Sequence, residues 1–462
     1  MRRDPTKILE DLRATFWFIP SCMVVAAVAL SVVMPLLDAR FAFDPPGAFG
    51  WIGETDADDL RPVLILVAGS IIGVASTTFS ITMVAVSSAS ANFGPRLIGN
   101  FMRDRGNQLT LGTFIATFVY CLLVLPSLHD GADAHLSVSV ALVLAIASVG
   151  VFIFFIHHVP ETLNIDGIVA DIGCRLRHDV TALFPAQSDI DVDVTSADLS
   201  TLKERIERRD GVPVRAIRAG YLQSINMEQL VELADEHGLL VRVQYRPGDF
   251  VTVGDALLEH WPDEDGDGSA AVTVDMDALP IEGLLDCFEL GFQRDPHQDC
   301  LFLVNQLAEV IARALSPGTN DPFTAITCLE WLKGALMAYL DCTRERPPLN
   351  AVGPVLVHPI DFEQIIATAF DGTRQYICAD RIVSLHAMTV LAEVGAKAAE
   401  AEHLTAVRRR MDELLAASVA TLAAHVGGSE VEARHAEVVR LLDDAALQDR
   451  RRVGTGWFGG SG

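Results

Sequence analysis

Apolar residues run uninterrupted by Asp, Glu, Lys or Arg over four stretches: about Thr15 to Leu37, Pro62 to Ser90, Leu109 to Leu128 and Leu136 to His158. Each is long enough to cross a hydrocarbon core of ~30 Å as a helix. The pattern therefore predicts four membrane-spanning helices over residues 1–158. The second run, at ~1.5 Å per residue, is longer than that core is thick and should tilt or protrude. The first follows Arg2, Arg3 and Lys7 as a signal peptide would, but it is too long and lacks a small-residue cleavage site, so a retained helix is expected.

Beyond Pro160 the spacing changes. Ile165, Ile168, Val169, Ile172, Leu176, Val180 and Leu183 recur at steps of three and four, which predicts an amphipathic helix. The Asp- and Ser-rich stretch Gln187 to Leu199 reads as a linker, so residues 159–200 form a helix and a connection. Short β-type runs, Val212 to Ile217, Leu239 to Tyr245 and Phe250 to Val253, flank a helical pattern over Met227 to His237. They predict a small α+β domain over residues 201–278.

From residue 279 to 450 the pattern is helical: Ile281 to Gly291, Gln298 to Leu315, Pro322 to Cys342, Asp361 to Phe370, Tyr376 to Ala401 and Leu404 to His425. The glycine-rich stretch 451–462 is expected to be a disordered tail. The fold class is thus an α-helical integral membrane protein with four transmembrane helices, carrying a cytoplasmic α+β and then mostly helical domain.

Composition agrees with this division. Half of the 462 residues are hydrophobic and 21% are charged, and the mean hydropathy of +0.32 is high for a soluble protein. Up to His158, 9 Lys+Arg face 12 Asp+Glu, leaving 26 and 49 afterwards out of a net charge of -26. An acidic remainder with Lys only at 203, 333 and 397 argues against a nucleic-acid partner. Eight scattered cysteines without a C-x-x-C pair imply neither zinc nor a disulfide framework.

Arg2, Arg3, Lys7 and Arg13 precede the first run, and Arg96, Arg103 and Arg105 lie between the second and third. The other two connections are acidic, with Asp44, Glu54, Asp56, Asp58 and Asp59 in one and Asp130 and Asp133 in the other. Basic flanks stay on the cytoplasmic side. Both the start of the chain and everything after about Val159 are expected in the cytoplasm, beneath a bacterial inner membrane.

Four features carry candidate chemistry. Ser70, Gly73, Thr77, Ser80, Val84, Ser87 and Ala91 alternate at three and four along the second run and share one helical face. That face is either a packing seam or, through Ser70, Thr77, Ser80 and Ser87, the lining of a water-filled path. The loop residues Arg96, Arg103, Asp104 and Arg105 either form an interfacial turn or dock the membrane part onto the acidic part.

In "SPGTNDP", Asp321 is placed to cap the helix that begins at Pro322. The other reading groups Ser316, Asn320 and Asp321 with Gln298 and Asp299 as a ligand or interface site. Lastly, "RPGDFVTVGDALLEHW" looks like half of a lipoyl- or biotinyl-type β-barrel, without a lysine to carry a prosthetic group. The "DEDGDG" loop has calcium-loop spacing but Val274 where a Glu is needed, so a solvated loop is expected.

Three phrases, "NFGPRLIGNFMRDRGNQLTLGTFIATFVYCLLVL", "QDCLFLVNQLAEVIARALSPGTNDPFTAITCLEWL" and "FDGTRQY", resemble the bacterial family of predicted membrane proteins defined by a domain of unknown function, number 2254. Phe93, Pro95, Arg96, Arg103, Asp104, Gln108, Gly112 and Tyr120 match the first phrase. Gln298, Asp299, Leu307, Ala314 to Pro317, Asn320 to Pro322 and Ala325 match the second. Where the family tends to carry Arg-Thr before the Gln-Asp, this chain has Asp295-Pro296-His297. The resemblance implies an integral membrane protein and carries no activity with it.

Neither G-x-S-x-G, H-E-x-x-H, a phosphate loop nor a dinucleotide turn occurs, and "STLK" at Ser200 to Lys203 lies in a polar stretch, so no enzyme, cofactor or metal is expected. Two functions remain open. One is a homo-oligomeric pore in the lipid bilayer for small ions, with an acidic cytoplasmic vestibule. The other is a membrane-anchored sensor or scaffold that binds a cytoplasmic partner or a small ligand.

Overall fold

A computed structural model describes residues 17–38, 40, 57–93, 104–128, 135–162, 164–184, 206, 210–262, 280–296, 298–345, 350–422 and 427–443. Arg96, Arg103, the Gln187 to Leu199 linker, the "DEDGDG" loop and the 451–462 tail lie outside the described residues. The chain divides into two compact units, residues 1–168 and 169–462, each described by itself.

The first unit holds α1 (Phe18–Asp38), α2 (Ala57–Phe93), α3 (Arg105–Val124, followed by a 3-10 turn at Leu125–Ser127) and α4 (His135–Thr162). All four are long and apolar enough to cross a membrane. α3 starts earlier than its apolar run, because Asp104 accepts from the Asn107 N–H at 2.9 Å and so caps a turn of polar residues.

α3 packs against each of the other three helices, while α1 and α2 each also meet α4. Phe114, Tyr120, Cys121 and Val124 of α3 lie in the interior with Leu60, Leu64, Ala68, Ile71 and Ala75 of α2. Two polar contacts inside cross between helices. Thr117 Oγ1 lies 3.1 Å from Ser148 Oγ, and Tyr120 donates to the Ser137 carbonyl at 3.0 Å. Outside, Leu66, Val84 and Ile146 are exposed. Apolar exteriors of this extent suit lipid rather than water.

The helix α5 (Ile165–Ala182) buries Val169, Ile172, Leu176 and Val180 on one stripe, as its periodicity predicts. From Val169 on it belongs to the second unit. There β1 (Val212–Arg215), β2 (Gly220–Ile225), α6 (Met227–Glu236), β3 (Leu239–Val243), β4 (Phe250–Val251) and β5 (Ala256–Pro262) follow in the expected region.

The stretch expected as one helix, Ile281 to Gly291, is instead α7 (Ile281–Asp286) and then β6 (Phe288–Gly291). Phe288 and Leu290 are buried against β2, a pairing that local periodicity could not reveal. Further on come α8 (Cys300–Ala314), α9 (Pro322–Glu345), β7 (Ala351–Val352), β8 (Val355–Leu356) and α10 (Phe362–Phe370). The run Tyr376 to Ala401 divides into α11 (Arg374–Ile377) and α12 (Arg381–Lys397), because Asp380 caps a fresh helix start. α13 (Ala401–Leu422) and α14 (Gly427–Asp443) complete the unit.

Two sheets form. One runs β1-β5-β3-β8-β7, with β3 and β8 parallel, and the other runs β4-β2-β6, all antiparallel. Strands from beyond residue 279 therefore finish sheets begun near residue 212, so no break at residue 278 separates sheet from helices. Leu222, Leu230, Leu239 and Leu258 are fully buried in the sheet core, each contributing about 1.5–3 kcal/mol. The strand and turn rhythm expected around "RPGD" is present, with Gly248 and Gly254 both at positive φ. Its two strands, β4 and β5, join different sheets.

Candidate functional site

Along α2 the small-residue face stays uncovered. Ser70, Gly73, Thr77, Ser80, Val84 and Ser87 are all exposed, whereas Leu60, Leu64, Ala68, Ile71, Ala75, Thr78, Thr82 and Val86, on the other side, are buried. One 3.6-residue period thus sorts the helix into a face satisfied within the chain and a face that is not. Thr77 donates to the Gly73 carbonyl at 3.0 Å and Ser80 to the Ser76 carbonyl at 2.9 Å. Their protons are engaged by the helix itself, so what these hydroxyls offer outward is oxygen lone pairs.

Both ends of this unit are tied by carboxylates. Asp38, the last residue of α1, is 7% exposed and accepts from Leu136 N at 2.8 Å, Ser137 N at 2.9 Å and Ser137 Oγ at 2.5 Å. It caps α4 from a different helix. At the opposite end Asp104 caps α3 and also accepts from His158 Nε2 of α4 at 2.8 Å. The His158 ring lies so close over Gly106 that a Cβ there would meet its Cδ2 at 2.6 Å. Of the residues expected to dock the two parts together, Asp104 thus has partners inside its own unit, and Arg105 is exposed. Arg96 and Arg103 lie outside the described residues.

The second candidate group separates. Gln298 and Asp299 precede α8, while Ser316, Asn320 and Asp321 follow it. A helix of this length holds them roughly 20 Å apart within one chain. Gln298 acts as a peptide mimic, accepting from Ile225 N at 3.0 Å and donating to Ile225 O at 3.4 Å.

Asp299, 1% exposed, caps α8 through Phe302 N at 3.0 Å and pairs with Arg294 at 2.7 Å. Burial pushes its carboxyl upward in pKa while Arg294 pulls it back. Gly248, at φ +97°, presses against this carboxylate. At the other end of α8, Ser316 donates to the Arg313 carbonyl, Asn320 takes a left-handed φ of 47° and Asp321 caps α9 through Thr324 N at 3.1 Å. These five residues therefore hold the sheets to α8 and turn the chain into α9.

Sequence reasoning missed Asp38 and Arg410, and it placed His158 at the inner end of the fourth run without its contact to Asp104. Arg410 of α13 is 3% exposed and donates to Glu363 at 2.6 Å and Asp371 at 3.2 Å, the latter belonging to the "FDGTRQY" phrase. The available signal was its i, i+4 spacing between the buried Ala406 and Leu414. Among the described residues, no group of three His, Cys, Asp or Glu is placed to hold a metal.

Residues 13–393 match the family model described as "Predicted membrane protein (DUF2254)". Over 332 residues the chain is 29% identical to an uncharacterized protein of Mycobacterium bovis and to one of Mycobacterium tuberculosis. Each match covers 70% of this chain and 60% of the relative, so the chain spans less than two thirds of those proteins' length. No solved structure matches it.

Proposed function

The chain belongs to the DUF2254 family of predicted membrane proteins, and on that premise we propose that its copies assemble in a bacterial inner membrane into a pore for small ions. α2 stands at the axis. The carrying observation is the α2 face from Ser70 to Ser87, small and hydroxyl-bearing yet left exposed among the described residues. Four uncharged helices cannot enclose water alone, and small faces let helices approach closely in lipid. Outward lone pairs at Thr77 and Ser80 favour cations by standing in for hydration water.

The basic flanks hold both ends of the first unit's chain on the cytoplasmic side. The acidic second unit then forms a vestibule that concentrates the same cations. No catalytic step is assigned to the protein.

The test is flux. Purified full-length protein in liposomes should pass a monovalent cation, and Ser80→Phe should lower the rate by about tenfold or more, as expected for blocking a narrow path. Because Ser80 is exposed within the single chain, the variant chain should fold and insert as the parent does. Absence of flux for every ion tried, or equal flux in the variant, would favour a membrane-anchored scaffold instead.

A further inference from the structure

In the three-stranded sheet β4-β2-β6, β2 is antiparallel to both neighbours, with Gly220 opposite Val251 and Tyr221 opposite Gly291. The start of β2 and the ends of β4 and β6 therefore emerge at one end of the sheet. Just beyond each strand stands a large apolar side chain left in the open: Ile217 at 77% exposure, Val253 at 67% and Phe292 at 99%. The loops that carry two of them are fixed. Ala216 N donates to Asp255 O, Gly254 N to Ala216 O and Arg215 Nη1 to Gly254 O, all at 2.8 Å. This is a built tip rather than frayed chain.

The charge of the tip opposes that of its surroundings. Arg215, Arg218 and Arg294 outnumber Asp255 and Asp295 there, in the part of the chain after His158 where 49 Asp+Glu face 26 Lys+Arg. Asp255 is turned back onto the Thr252 N–H at 2.8 Å, and Arg294 is held by Asp299, which leaves Arg215 and Arg218 beside Ile217 as the outward charges.

We propose that this tip, Ile217, Val253 and Phe292 with Arg215 and Arg218, docks on an anionic lipid surface. Apolar side chains raised on separate loop ends can each enter a fluid interface, and arginines beside them meet lipid phosphates. A protein partner fits less well. Three side chains of this size offer roughly 400 Å², about half of the ~800 Å² each side needs in a stable protein interface. This surface is independent of the pore and stands whether or not ions pass.

The experiment places a bimane on Phe292→Cys or Val253→Cys in the full chain, with the exposed Cys22 and Cys174 changed to Ser. The chain sits in vesicles carrying nitroxide lipid, and Glu432→Cys on the exposed side of α14 serves as reference. With phosphatidylglycerol present, quenching at 292 and 253 should exceed that at 432 by about threefold or more. The excess should fall in pure phosphatidylcholine, at ~1 M salt and in the Arg215→Gln, Arg218→Gln pair. Quenching equal to that at 432 would overturn the proposal. So would quenching indifferent to lipid charge, or burial of the probe that tracks the protein-to-lipid ratio and marks a second protein as the occupant.

Discussion

Gly248→Ala should destabilise the second unit by about 2–5 kcal/mol, with the loss appearing as a lower denaturant midpoint in the fluorescence of Trp261 and Trp331. Two costs combine. The residue holds φ at +97°, where a Cβ costs about 1–2 kcal/mol. That Cβ would also stand 2.5 Å from the carboxyl carbon of Asp299, whose oxygens are occupied by Phe302 N and Arg294. The carboxylate cannot retreat without uncapping α8 or leaving a buried charge unpaired, so overpacking adds about 1–3 kcal/mol. Total stabilities of ~5–15 kcal/mol make this a severe variant. A midpoint within about 0.5 kcal/mol of the parent would show that the turn at Gly248 does not bear on Asp299.

Asp38→Ala should loosen the first unit by about 2–4 kcal/mol, since two backbone donors and one hydroxyl at the start of α4 lose a charged acceptor in a dry setting. The readout is the temperature at which Cys121, buried in the same interior cluster, becomes reactive to a thiol dye. Asp38→Asn keeps an acceptor oxygen and should recover about half of the loss. Equal melting of Asp38→Ala and the parent would mean that α4 finds its cap elsewhere.

The four long helices were legible because lipid-compatible segments must be both uncharged and long, and that signal is local. Their ends were less so. Arg105, Asn107 and Gln108 lengthen α3 before its apolar run, and the cause is a cap at Asp104 rather than hydropathy. The sheets were read only in part. β8, two residues long, pairs with β3 across more than a hundred residues, and β6 hides in a run whose Leu284 and Leu285 suggest a helix.

The α2 face was visible as a period. That it stays uncovered while its opposite side is packed is a tertiary fact. In the same way, Gln298 and Asp321 stood out as polar residues, grouped as one ligand or interface site or else read as cap and turn. Only the course of α8 shows that they stand at two separate places.

Disulfide trapping tests the placement of α2 most directly. In membranes, with Cys22 and Cys174 changed to Ser, oxidation should join chains carrying Ser80→Cys into dimers. Chains carrying Val143→Cys, exposed on α4, should remain single. Trapping at 143 but not at 80 would put the wrong helix between subunits and contradict the pore.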